Sequence, residues 1–257
     1  MRLKWYGTAT ILLESGNTRL LFDPYCKPLA RGAPVPLAEA RTADAVFITH
    51  PHLDHFRDID AFSEGKRPVY VSAKGLSIAR RNGLQTGCMR EIAANESVRV
   101  GPFTVLTYPA LHCAFDAATV LRVLFSPRTW RHFNDAVALL KETKRYRIRR
   151  SEVLAFSVSD GHKQVLLFGS AGMAEGAVYP QGADLLVFPY QGRARMDREL
   201  IPFLDKLQPK AVTVDHFDDA FPPITRRVDT RRFRPTVQNR LPSAKAFVPQ
   251  ENVWYEV

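Results

Sequence analysis

The segment Thr49-His50-Pro51-His52-Leu53-Asp54-His55-Phe56 places three imidazoles and a carboxylate within six residues. Imidazole nitrogen is a ligand for zinc, iron and related ions. Pro51 biases His50 toward an extended backbone, and in an extended stretch residues i and i+2 share a face. His50 and His52 therefore converge on one point. Asp54 and His55, at the mouth of an expected helix, face a neighbouring point. The spacing predicts two adjacent metal sites rather than one.

Donors from a single loop leave both sites incomplete, so the rest must come from other strand ends. His112 follows the apolar run Val105 to Leu111, and His216 follows Ala211 to Asp215. Each stands where a buried strand gives way to a loop, the usual place for chemistry in α/β folds. His132, inside a helical segment, and His162, on a hairpin turn, lack that setting and are expected at the surface.

The elements that must position these residues are mostly strands. Trp5 to Glu14 and Arg19 to Phe22 read as a hairpin turned at Ser15-Gly16-Asn17-Thr18 and closed by Asp23-Pro24. Pro34 and Pro36 mark Pro28 to Arg41 as a loop. Ala45 to Thr49 is a short buried strand. Phe56, Ile59 and Phe62 then recur at roughly helical spacing, which predicts a helix from near Asp54. A strand over Pro68 to Ser72 and a short helix over Ser77 to Asn82, ending at Gly83, follow. Hairpins are expected around Gly101-Pro102 and around Ser159-Asp160-Gly161-His162. Strand, helix and strand succeed one another at Leu185 to Phe188, Arg198 to Leu207 and Ala211 to Val214. This mixture argues for layered sheets covered by helices. The tail from Ser243 to Val257 either returns to the core or packs on a neighbouring subunit.

A helical insertion interrupts the pattern at about 113–150. Trp130, Phe133, Val137 and Leu140 fall at i, i+3, i+7 and i+10, one apolar face, with Arg128, Arg131, Lys141 and Lys144 around it. An ordinary helix pair packed on the core is the plain expectation; a lid or a surface lying on lipid is the alternative.

The chain has 257 residues, 46% of them hydrophobic, which suits a single domain over 1–257 with a well-buried core. Lys and Arg exceed Asp and Glu by 36 to 26, a net charge of +10. That balance steers anionic partners toward the protein: nucleic acid, acidic lipid or phosphorylated small molecules. No apolar run approaches the ~20 residues of a membrane span, and no signal-peptide pattern opens the chain. Cys26, Cys88 and Cys113 are odd in number and lack metal-type spacing, so a reducing, cytoplasmic setting is expected.

Thr-His-Pro-His-Leu-Asp-His resembles the T-H-x-H-x-D-H signature of the metallo-β-lactamase fold superfamily. The opening Trp5-Tyr6-Gly7-Thr8-Ala9-Thr10, the Asp23-Pro24 pair and the closing His216-Phe217-Asp218-Asp219-Ala220-Phe221-Pro222-Pro223 resemble one branch of it. That branch includes the ascorbate-phosphate lactonase-like proteins and other metal-dependent hydrolases. The resemblance implies an α/β fold, an αββα four-layer sandwich of two mixed sheets flanked by helices, with the metals at one edge. It implies His50, His52 and His112 around a first metal and Asp54, His55 and His216 around a second.

Two positions depart from the family pattern. Ser170, in Gly169-Ser170-Ala171-Gly172, stands where relatives carry an aspartate that bridges the metals. Thr8 stands where relatives often carry histidine. A neutral hydroxyl neither offsets two dications nor ligates well, so one well-occupied metal and a weaker second site are expected. Asp160 or Asp184 is an alternative source of the missing carboxylate.

The resemblance implies a metal-dependent hydrolase acting on an ester, lactone or phosphoester of an anionic small molecule or lipid. Three imidazoles with an open position are the ligand set of a catalytic zinc site; manganese or iron fits the carboxylate-containing set. A metal-bound hydroxide would attack the carbonyl or phosphoryl centre. Asp54 is expected as a ligand or as a base orienting water, Ser170 as a hydrogen-bond donor, and Asp23 and Asp215 as residues orienting ligand imidazoles. Two alternatives stay open. One is a metal- or ligand-binding protein of this fold with lost or weakened turnover. The other is a nuclease, supported by the basic runs Lys144 to Arg150 and Arg226 to Arg234. A nucleic-acid partner is disfavoured, since no separate RNA-binding module is present.

Overall fold

A computed structural model describes residues 1–26, 36–62, 67–222 and 224–257. In chain order, β1 (Arg2–Trp5), β2 (Ile11–Ser15) and β3 (Thr18–Phe22) form an antiparallel meander. Helix α1 (Leu37–Ala40) precedes β4 (Ala45–Phe47), and α2 (Leu53–Phe56) follows it. Then come β5 (Val69–Val71), α3 (Ala73–Asn82) and β6 (Met89–Glu91). The hairpin β7 (Ser97–Val100) and β8 (Phe103–Ala110) leads into α4 (Ala117–Leu124), α5 (Pro127–Arg131) and α6 (Phe133–Arg145). The hairpin β9 (Val153–Ser159) and β10 (Gln164–Phe168) follows, then β11 (Leu185–Pro189), α7 (Met196–Leu207) and β12 (Ala211–Asp215). Helix α8 (Phe233–Arg240), β13 (Lys245–Phe247) and β14 (Trp254–Glu256) complete the chain.

The strands form two seven-stranded mixed sheets, ordered β14-β1-β2-β3-β4-β5-β6 and β13-β12-β11-β10-β9-β8-β7. Alternation along each strand sorts the side chains. Ile11, Leu13, Phe22 and Phe47 face the second sheet, where Phe22, Phe47 and Phe156 meet at centroid distances of 5.5–5.7 Å. Leu12, Leu21 and Val46 point the other way, under Phe56 of α2 and Ile78 of α3. Phe203 of α7 caps the far face of the second sheet, edge-on to Phe168 and Phe188 at 4.9 Å. Helix, sheet, sheet, helix is the expected four-layer sandwich. No described helix is long and apolar enough to cross a membrane.

Three local expectations need correction. The single strand expected from Trp5 to Glu14 is two strands, because a turn intervenes: Gly7 and Thr8 take positive φ (101° and 48°) and Tyr6 N–H closes on Thr10 O at 2.9 Å. The helix expected from Asp54 through Phe62 stops at Phe56 and resumes as a tighter 3-10 turn over Ile59–Phe62. Most of the proline loop at Pro28 to Arg41 lies outside the described residues, as does Pro223, but Leu37–Ala40 is helical. The tail returns to the core: β13 and β14 extend opposite sheets.

Candidate metal centre

The topology brings five strand ends to one edge. β3 and β4 run parallel and finish beside each other. β8 and β10 are both antiparallel to β9, so they run the same way, and β12 is parallel to β11, which is parallel to β10. The loops leaving these strands carry Asp23, His50, His112, Ser170 and His216. A bond from Leu154 N–H to Thr49 O, 2.8 Å, staples the two sheets at this edge.

Two clusters of donors result. His50, His52 and His112 form one, and Asp54, His55 and His216 the other; within each, all ligand atoms lie within 4.8 Å of one another. His50 Nε2 is 3.1 Å from His52 Nδ1. His52 and His112 meet edge to face at 4.5 Å. His55 and His216 stand 5.4 Å apart, with Asp54 Oδ2 2.8 Å from His216 Nε2. The clusters adjoin, the rings of His50 and His55 being 4.0 Å apart. His132 and His162 lie elsewhere, His132 against Asp135.

A ligand imidazole needs its second nitrogen fixed, and three rings have this. Asp23 is the hub. Its carboxylate accepts Thr49 N–H at 2.7 Å, the Thr49 hydroxyl at 2.6 Å and His55 Nδ1–H at 2.8 Å. The Thr49 hydroxyl in turn accepts from His50 Nδ1 at 3.0 Å. Each ring's Nε2 is thereby left for the centre. His216 Nδ1 is held by Gln191 Oε1 rather than by Asp215. Asp215 is buried, its Oδ1 has no hydrogen-bond partner, and burial pushes its carboxyl up to about 7. Thr8 and His216, both at positive φ, lock together through His216 N–H to Thr8 O, 2.7 Å, while Thr8 N–H donates to Asp218 at 3.0 Å. Thr8 thus forms the wall behind His216.

Ser170 is buried, and its hydroxyl accepts Cys113 N–H at 2.9 Å, directly after His112. Its glycine neighbours have steric reasons to be there. A Cβ at Gly169 would lie 2.0 Å from Thr49 Oγ1, and one at Gly172 would lie 2.4 Å from Leu111 O. Neither proposed substitute for the bridging carboxylate is near. Asp160 precedes β10 and bonds Ser15, His162 and Lys163; Asp184 pairs with Lys210 and Lys163. Ser170 follows the opposite end of that strand.

The protonation states suit a metal in the first cluster. Burial, then the neighbouring rings, hold His50 well below the usual imidazole range; burial takes His52 down to about 3 and lowers His112. Neutral imidazoles bind cations without first losing a proton. In the second cluster burial opposes charge on both partners, but mutual attraction prevails. The adjacent imidazoles hold the Asp54 carboxyl far below its ordinary range, and the Asp54 hydrogen bond raises His216 to about 9. A cation entering there displaces a proton.

These shifts set a pH dependence for the metal-free protein. Between pH 6.5 and about 3 the unfolded chain protonates His52 and the folded chain does not, so stability falls as pH falls, by up to about 1.4 kcal/mol per unit for that residue. His216 works oppositely: its contribution is full below pH 6.5 and is lost as pH rises through about 9. Urea midpoints measured with chelator between pH 7 and 5 are expected to fall less steeply in His52→Gln than in wild type. Equal slopes would refute the assignment.

Asp23, one of the two carboxylates expected to orient ligand imidazoles, does hold a ligand ring, that of His55. Gln191 and Thr49 hold ligand rings without any such expectation, since a neutral amide or hydroxyl carries no metal signal in a sequence. Gln191 is two residues past the end of β11, where side chains reach the same edge.

Comparison with known proteins agrees with the geometry. The sequence model of the family described as "Beta-lactamase superfamily domain" matches residues 18–217. A UPF0173 metal-dependent hydrolase of Pyrobaculum aerophilum is 28% identical over 130 residues, covering 49% of this chain. The match spans 57% of that protein's length, so the chain spans little more than half of this relative. One from Thermococcus kodakarensis is 23% identical over 241 residues, 93% of each chain. Among solved structures, the metallo hydrolase Igni18 of Ignicoccus hospitalis superposes with a TM-score of 0.64 at 17% identity, covering 100% of this chain and 98% of that one, a likeness of fold alone. With the family model spanning most of the chain and both donor clusters at the expected sheet edge, this protein belongs to the metallo-β-lactamase fold superfamily.

Proposed function

We propose that the chain is a metal-dependent hydrolase acting on an ester, lactone or phosphoester of an anionic small molecule or lipid. The observation that carries this is the pair of adjoining donor clusters, three of whose five imidazoles are oriented from behind by Asp23, Thr49 and Gln191. His50, His52 and His112 would hold a divalent metal, zinc by the chemistry of three imidazoles. Asp54, His55 and His216 would hold a weaker second one. When bound, the metal supplies an acidified water and a polarised substrate oxygen.

The chain's own residues do the rest. Asp54, kept ionised by the imidazoles beside it, would ligate the second cation or accept a hydrogen bond that orients water. The Ser170 hydroxyl is placed by Cys113 N–H to donate to water or substrate. Arg150, whose Nε bonds His112 O at 3.1 Å, sets positive charge next to the first cluster, and Arg193, whose Nε bonds Ala114 O at 3.1 Å, stands nearby paired with Glu199 at 3.2 Å. Arg150 and the net charge of +10 support an anionic substrate. The second reading, a binding protein with weakened turnover, rests on Ser170 in place of a bridging carboxylate.

The test is turnover on a panel of aryl esters, lactones and bis(p-nitrophenyl) phosphate. Cleavage of at least one class is expected, abolished by chelator, restored by zinc, manganese or iron, and absent in His112→Ala. A protein that holds metal yet cleaves none would establish the binding reading. A protein that takes up no metal would sink both.

A further inference from the structure

Eleven large apolar side chains stand exposed among the described residues, and eight of them lie between Phe115 and Leu140. Helices α4, α5 and α6 bury no residue. The core-packed helix pair expected from sequence is therefore not what this segment forms. Most of its large apolar side chains, among them Leu121, Leu124, Phe125, Trp130, Phe133 and Leu140, face outward, while Val123, Val137 and Leu139 are half-buried. Scattered exposed apolar residues are ordinary, but a concentration on three successive helices marks a surface that something covers.

Charge identifies the cover. Between 113 and 150 the chain carries nine Lys and Arg against three Asp and Glu. Arg122, Arg131 and Lys141, on the same helices, make no ion pair among the described residues. A second copy would bring the same positive charge to the contact, whereas an acidic bilayer attracts it. Trp and Phe among Leu, edged by Arg and Lys, is the composition of helices that lie in a headgroup layer. The aromatic part is preformed: Trp130 donates its indole N–H to Leu124 O at 2.7 Å and stacks on Phe133 at 5.8 Å.

The segment is tied to the metal edge on several sides. Its two ends close on each other through His112 N–H to Arg150 O, 2.7 Å. Arg128 reaches Asp219 at 3.2 Å, three residues past His216. Arg57, beside α2, reaches Glu142 of α6 at 3.4 Å. A bilayer seated on these helices therefore borders the donor clusters.

We propose that α4–α6 form a docking surface for a bilayer rich in anionic lipid. The docking stands on exposure and charge alone. Its corollary, that the hydrolysed bond belongs to an anionic lipid or amphiphile, rests on the hydrolase reading above.

The test is flotation of the purified protein with vesicles of phosphatidylcholine, pure or with about one part in three phosphatidylglycerol. Partitioning at least about tenfold stronger on the anionic vesicles is expected, weakening as salt rises. Leu121→Asp/Phe125→Asp is expected to reduce it about tenfold while circular dichroism and metal content are unchanged; both side chains are exposed, so folding does not depend on them. Arg122→Glu/Lys141→Glu should weaken only the anionic preference. Equal partitioning on both vesicles, binding to neither, or binding indifferent to the Asp substitutions would overturn the proposal. So would a dimer in light scattering that Phe125→Asp dissolves, which would make a second copy the cover. Vesicle binding is read without turnover, so failure of docking and failure of hydrolysis are separable.

Discussion

Asp23→Asn is expected to weaken both donor clusters at once and to cost the fold about 1–3 kcal/mol for each buried polar group it leaves unpaired. No single ligand substitution should do both. The carboxylate is fully buried and accepts three hydrogen bonds. Two go to Thr49, which fixes His50 in the first cluster, and one to His55 in the second. An amide in its place offers one oxygen where two accept now, and turns donors toward donors, leaving buried polar groups unpaired. Asparagine is the informative replacement because Asp23 sits at φ 44°, a backbone region asparagine tolerates. Loss of an orienting partner typically lowers metal affinity ten- to a hundredfold. The checks are metal titration and the urea midpoint of the metal-free protein. Wild-type values in both would show that Asp23 is a bystander.

The second large effect is a gain. Wild-type protein purified without chelator is expected to hold about one metal per chain, lost in His112→Ala and kept in Asp54→Ala. Ser170→Asp is expected to raise the count to about two, with second-site affinity up about tenfold or more. The position can take a carboxylate: Cys113 N–H, now donating to the hydroxyl at 2.9 Å, would donate to a carboxylate oxygen as well. The added negative charge would offset repulsion between two dications at adjoining clusters. Elemental analysis of both proteins decides it. Two metals in the wild type would mean that the second cluster needs no bridging acid.

The sequence made the sandwich legible because its strands are short, apolar and punctuated by turn residues, and because Thr49 to Phe56 is so specific. Features with weak local signal were hidden. Helix α8 buries only Phe233 and Val237, too few to make an apolar stripe. Strand β6 has one buried residue, Met89. The break at Gly7 and Thr8 is enforced from afar, by Asp218 and His216. At the site, residues with strong metal chemistry stood out, while Gln191 and Thr49, which only orient them, did not. The insertion shows the converse: periodicity puts Trp130, Phe133, Val137 and Leu140 on one face, but the helix breaks at His132, so Trp130 lies on α5 and the others on α6, and periodicity says nothing of which way they face.

The place where that insertion joins the sandwich has a further consequence. It leaves β8 at Ala110 and rejoins the neighbouring strand β9 at Val153, and those two residues are register partners. The sheet is therefore continuous beneath the excursion, and the clasp between His112 and Arg150 closes its neck. Closing a loop costs entropy only as the logarithm of its length, about 0.6 kcal/mol for each doubling. Helices can thus be lengthened, shortened or exchanged above the neck at little energetic cost to the sheets. Descendants of this chain could change what the mouth meets while inheriting the reacting groups unaltered.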